Sequence, residues 1–275
     1  MSPFRLSAPL DGQSPLILSS PHSGTYLPPA FRARLPLAPQ LVRRLEDAHV
    51  GQLLEAASRH APLIEATHAR AVIDLNRGED EIDAATVEGG PPLSPTARGR
   101  AGFGLFPRHA APGHPLIRRP LARHEAEARI AALHRPWHRA IAEGLAAARA
   151  RHGGALLLDC HSMPPLEAGG AQVVLGDRFG RSASPRLVDL VEGRLRAAGL
   201  RTARNHPYAG GHGVTRHGRP AYGVHAIQIE LCRNLYMNIG NFLPHEGFSN
   251  LSEILADLCG ELVEMLGGGL AVAAE

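Results

Sequence analysis

Apolar residues along this chain fall into short continuous runs, separated by stretches where they recur every three or four positions. Residues 15–20 (PLILSS) are nearly all apolar at their start and read as a buried strand. Residues 40–59 carry Leu41, Val42, Leu45, Leu53 and Leu54 at helical spacing and predict a helix. Residues 62–67 and 70–75 (RAVIDL) read as two further strands. Residues 78–120 then hold seven glycines and seven prolines, too many interruptions for regular elements. A stretch that long is expected to be a lid or the wall of a pocket. Helix returns over 121–134, and Pro136 suits the first turn of another helix that ends near Gly153. Residues 155–160 (ALLLDC), 172–175 and 224–231 (VHAIQIEL) read as strands. Ser184 and Pro185 open a helix that runs to Gly199. A closing helix over 249–266 places Leu251, Ile254, Leu255, Leu258 and Leu262 on one stripe. Strands alternating with helices predict a layered α/β fold with a largely parallel sheet. No linker interrupts the pattern, so residues 1–275 read as one domain.

Composition narrows the chemistry. The chain contains no lysine, so all 29 basic residues are arginine, and it has 16 histidines. Schiff-base catalysis and a lysine-centred phosphate loop are therefore excluded. Aromatic residues make up 4% and the formal charge is +3, too little stacking surface and too little positive field for a nucleic-acid partner. No run of about 18 apolar residues occurs, so no membrane span is expected. The start, Met1-Ser-Pro-Phe-Arg, has no charged-then-apolar pattern, so no signal segment is expected. Cys160, Cys232 and Cys259 are odd in number and widely spaced, which suits reduced thiols and a cytoplasmic setting. Oligomeric state is left open by these patterns.

In open α/β sheets, ligands bind beyond the carboxyl ends of the strands. Reading just past each predicted strand yields His22, the pair Asn76-Arg77, His161 and, late in its own strand, Glu230. Two histidines and a carboxylate are a known ligand set for catalytic zinc, although such donors accept other divalent ions too. An unligated glutamate could take a proton from water and pass it to a leaving amine. An arginine could stabilise the oxyanion, and an Asn-Arg pair could clamp a substrate carboxylate. Together these parts describe hydrolysis of an amide attached to an amino acid. A thiol or serine relay within Asp159-Cys160-His161-Ser162 fails, because neighbours on a strand face opposite sides.

The segments SPHSGTYLP (20–28), RAVIDLNR (70–77), LLLDCHSMP (156–164), NHPYAGGHGVTRHG (205–218) and GVHAIQIELCRNLYM (223–237) resemble the N-formylglutamate amidohydrolase family. The D-L-N-R tetrapeptide is also similar to that of aspartoacylase and the wider zinc carboxypeptidase superfamily. The resemblance implies a three-layer α/β/α fold with a zinc carboxypeptidase-like central sheet. It also implies a zinc-activated water and cleavage of N-formyl-L-glutamate to formate and glutamate, a reaction of histidine breakdown. Carried over by position, His22 and His161 look like metal ligands, Glu230 like the general base and Arg70 like the carbonyl-polarising arginine. Asn76 and Arg77 look like the carboxylate clamp. Independently of the resemblance, Asn205 and Gly211 belong to a Gly-rich loop whose backbone amides could face an anionic substrate, with an ordinary turn as the alternative. Thr25 stands where the superfamily's H-x-x-E motif has its glutamate. A third ligand is therefore expected from Glu46-Asp47-Ala48-His49; the family pattern favours Asp47, while helical spacing leaves Glu46 and His49 open.

Overall fold

Residues 1–111, 113–167 and 169–268 are described by a computed structural model. Within them lie nine strands: β1 (Phe4–Leu6), β2 (Leu16–Ser20), β3 (Leu63–Ala66), β4 (His109–Ala111), β5 (His114–Pro115), β6 (Ala155–Met163), β7 (Val173–Gly176), β8 (Thr202–Arg204) and β9 (Val224–Cys232). Seven of these form one sheet in the order β1-β3-β2-β6-β9-β7-β8, while β4 and β5 make a separate hairpin. Pairing is parallel for β2 with β6, β6 with β9 and β7 with β8, and antiparallel for β7 with β9. The sheet is thus mixed, with helices flanking it, as the alternating pattern predicts.

The chain's contacts divide it into two compact units: Met1–Arg5, Pro21–Glu46 and Glu65–Arg139 in one; Leu6–Ser20, Asp47–Ile64 and Ala140–Glu275 in the other. In the second, all nine residues of β6 are buried, because β2 and β9 cover both its edges and side chains cover both its faces. Leu156, Leu158 and Cys160 of β6 pack with Val50, Leu53 and Leu54, with Leu187, Val188 and Val191 of the helix Pro185–Ala197, and with Leu251, Leu255 and Leu262 of the helix Gly247–Gly267. Register across β6 and β9 sets His161 opposite Glu230. The first unit is poorer in regular structure. There Arg129 lies over the rings of Phe31 and Phe106, at 5.0 and 5.9 Å from their centroids, and donates to the Val72 carbonyl.

Three expectations are corrected. Residues 40–59 do not form one helix but short pieces, Pro39–Val42, Arg43–Leu45, Val50–Leu53 and Ala57–Arg59. The break falls at Glu46, which is extended, and at His49, whose φ of 66° no right-handed helix accepts. Residues 71–75 are buried, but 70–75 form turns and irregular backbone, not a strand. Their backbone groups are taken up outside any ladder: Val72 N–H donates to the Ala69 carbonyl, Asp74 N–H to that of Leu105, and Arg129 donates to the Val72 carbonyl. The helices expected on either side of Pro136 run on through a π turn, Ile130–His134, into Arg135–His152. Proline lacks the N–H that an α turn would need there, and a wider turn accommodates the loss.

Candidate metal centre and active site

In the first unit, Asp74 is the hub. It is fully buried, and one oxygen accepts from His22 Nε2 at 2.7 Å and from the Asn76 backbone N–H at 2.9 Å. The other accepts from Arg70 Nε at 2.8 Å and lies 3.9 Å from Arg77 Nε. Burial alone would push this carboxyl up, but Arg70, His22 and Arg77 outweigh it and hold it well below the usual carboxylate range. Arg77 is itself held in place, Nε donating to the Phe103 carbonyl and Nη1 to that of Asn76. The turns of 70–77 thus bring Arg70, Asn76 and Arg77 together around one buried carboxylate. His138, by contrast, is a packed helix residue whose Nε2 bonds the Leu75 carbonyl.

In the second unit, the strand ends carry the polar groups. His161 Nε2 lies 3.1 Å from Asp159 Oδ2, and Ser19 Oγ donates to the other Asp159 oxygen at 2.6 Å. Asp159 and His161 are two apart on β6 and share a face, while Ser19 sits opposite Asp159 on β2. His161 Nδ1 lies 3.1 Å from Asp47 Oδ2. Asp47 Oδ1 accepts from Ser162 Oγ at 3.0 Å and faces Arg233 at 3.5 Å; Arg233 Nε also donates to Ser162. Burial opposes charge on His161, yet Asp159, Asp47 and Glu230 outweigh it and raise its pKa well above the ordinary imidazole value. Further along β9, Glu230 Oε1 accepts from Gln228 Nε2 at 2.7 Å. Asn205, with φ of 58°, accepts from the backbone N–H of Asp177 and Phe179 and donates to the Asp177 carboxylate, while Gly211 N–H donates to Gln228.

The three ligand alternatives separate here. His49 has one ring nitrogen on Gln52 and the other on the Phe242 carbonyl, and Glu46 reaches Arg43. Asp47 is the carboxylate beside His161. His22 of the first unit and Asp47 and His161 of the second are all buried, and each offers one atom of a kind that ligates metal ions. Two imidazoles and a carboxylate are donors of the kind a borderline divalent cation takes. Both histidines carry a buried carboxylate on one ring nitrogen, the arrangement that fixes the tautomer and orientation of metal-ligating imidazoles.

Asp74, Arg233 and Gln228 were not singled out by the sequence, and Asp159 and Ser162 entered only as members of a rejected relay. Asp74 stood inside the D-L-N-R motif, and Asp159 shares the strand face of His161; the others have no sequence signal of their own.

The fold and these side chains define an α/β protein whose sheet ends present carboxylate-backed histidines able to take a metal ion. The family model of N-formylglutamate amidohydrolase matches residues 14–237. N-formylglutamate deformylase of Pseudomonas aeruginosa is 36% identical over 268 residues, 93% of each chain. The Pseudomonas putida enzyme of the same name is 34% identical over 238 residues, 82% of this chain and 83% of its own. A crystal structure of N-formylglutamate amidohydrolase from Ralstonia eutropha JMP134 superposes with a TM-score of 0.90 at 38% identity, covering 98% of this chain and all of that one. The chain belongs to the N-formylglutamate amidohydrolase family.

Proposed function

We propose that this protein hydrolyses N-formyl-L-glutamate to formate and L-glutamate with the help of one divalent metal ion, zinc by preference. The observation that carries the reading is the pair of buried histidine–carboxylate units, His22–Asp74 and His161–Asp159, in a chain with deformylase relatives across nearly its whole length. His22, Asp47 and His161 would hold the ion, with Ser162 and Arg233 steadying Asp47. When bound, such an ion supplies Lewis-acid polarisation and brings the pKa of water at the site toward about 7.

The chain's own residues divide the remaining work. Glu230 takes a proton from the attacking water and delivers it to the leaving amino group of glutamate. Arg70, aimed by Asp74, stabilises the negative charge that develops on the formyl oxygen. Asn76 and Arg77, the latter tied by two backbone carbonyls, clamp a substrate carboxylate. Asn205 and Gly211 present the 205–211 loop to the substrate. Residues 1–275 act as one catalytic domain, a reading supported by the family match that spans 14–237 without a break. The three buried free thiols support a cytoplasmic setting, and the reaction would serve histidine breakdown.

The test is formate release by the purified protein from N-formyl-L-glutamate, compared with N-acetyl-L-glutamate and N-formyl-L-aspartate, before and after chelation. The expected result is preference for N-formyl-L-glutamate, loss of turnover with chelator and recovery with zinc. Preference for a larger acyl group would instead make the protein a deacylase of another N-acyl amino acid. Chelator-resistant turnover would overturn the metal-dependent reading.

A further inference from the structure

We propose that Gln228 is a positioning residue that fixes the carboxylate of Glu230 and ties it to the conformation of the 205–211 loop. The inference rests on the role given to Glu230 above. Gln228 and Glu230 are two apart on β9 and share a face, both buried, at 4% and 7% exposure. The Gln228 amide bridges two groups of opposite hydrogen-bonding character. Its Oε1 accepts from the Gly211 backbone N–H at 2.8 Å, and its Nε2 donates to Glu230 Oε1 at 2.7 Å. A backbone N–H can only donate and a carboxylate can only accept, so this orientation of the amide is the one that satisfies both neighbours.

The surrounding backbone is built to keep the bridge in place. Gly176 of β7 stands opposite Gln228 in register. A Cβ added at Gly176 would lie 2.7 Å from the nitrogen of Gly210 and 2.8 Å from the carbonyl carbon of Ala209, both backbone atoms that cannot yield cheaply. The loop therefore lies directly on the strand at the level of Gln228, and Gly210 turns there with φ of 112°. Asn205 pins the loop's start to Asp177, and Arg178 N–H donates to the Ala209 carbonyl. The bridge thus fixes one oxygen of the Glu230 carboxylate and, through it, the plane of the group. A loop displaced from β7 would withdraw Gly211 N–H and release the amide, so the bridge links loop position to the aim of the base.

Gln228→Met keeps length and burial but bonds neither neighbour. Gln228→Glu still accepts from Gly211 yet sets a second carboxylate against Glu230. Both should lower kcat about 10–100-fold, part of the roughly 100- to 10,000-fold that a general base supplies. KM for N-formyl-L-glutamate should stay within about threefold, with metal content and circular dichroism unchanged. In a Glu230→Gln background, which by itself should lose at least about 100-fold in kcat, Gln228→Met should have almost no further effect. Wild-type kcat in Gln228→Met, or an equal drop in both backgrounds, would overturn the inference. Should Gln228→Met fail to fold, the isosteric Gln228→Glu carries the test, and retained kcat there would overturn it equally. Wild-type turnover by Glu230→Gln alone would instead remove the base assigned above, so the two failures are distinguishable.

Discussion

Replacing Asp74 by asparagine is the sharpest probe of the buried hub. The side chain is 0% exposed and the change nearly isosteric, so packing is kept and charge is lost. At an effective dielectric of about 20, one unit charge on Arg70 at 2.8 Å and another on Arg77 at 3.9 Å attract the carboxylate by roughly 6 and 4 kcal/mol. Those gross attractions are offset in part by water that the guanidiniums regain, since their side chains are 19% and 11% exposed. Breaking a buried ion pair by removing one partner typically leaves a net loss of about 3–5 kcal/mol. Urea unfolding of the metal-free Asp74→Asn protein should show a loss of that size. His22 would also lose the carboxylate on its Nε2, and zinc affinity, read by competition with a chromogenic chelator, should fall about 10–100-fold. Stability within about 1 kcal/mol of wild type together with unchanged zinc affinity would refute the reasoning, because Asp74 would then neither balance the arginines nor orient His22.

Two further outcomes follow from the same physics. His225 is buried and its Nδ1 accepts the Ser184 N–H, and burial pushes its pKa down to about 4, against about 6.5 in an unfolded chain. Between these values the unfolded state binds the extra proton, so His225 contributes stability above pH 6.5 that is lost as pH falls toward 4; the urea midpoint of wild type should drop more steeply over that window than that of His225→Gln, and parallel curves would contradict this. Gly176→Ala should lower thermal stability by about 1–3 kcal/mol, because the new methyl meets the backbone of Ala209 and Gly210; a melting temperature equal to wild type would show that the loop can lift off β7 freely.

The parts of the fold that were legible are those where burial and ladder pairing coincide. PLILSS, ALLLDC and VHAIQIEL became β2, β6 and β9 because they are apolar runs flanked by other strands. RAVIDL carries the same signal of burial, yet its backbone is satisfied by turns and by Arg129, and apolar periodicity does not register that difference. Over 40–59 the helical spacing was real, but one left-handed residue, His49, and the extended Glu46 broke the helix and aimed Asp47 at His161. That break is why spacing alone could not choose between Glu46, Asp47 and His49. β1 and β8, three residues each, are too short to stand out in any window. At the site, the residues expected to contact ligand or substrate could be listed from strand ends and motifs. Asp74, Asp159 and Gln228, which hold those residues, are ordinary polar letters until the fold sets them against a histidine or a glutamate.

Diffraction from zinc-loaded crystals at the zinc absorption edge tests the central claim most directly. The expected result is one strong anomalous peak within about 2.0–2.2 Å of nitrogens of His22 and His161 and an oxygen of Asp47, with Asp74 and Asp159 on the opposite ring nitrogens. No peak at these three residues, or a peak coordinated by His49 or Glu46 in place of Asp47, would contradict it.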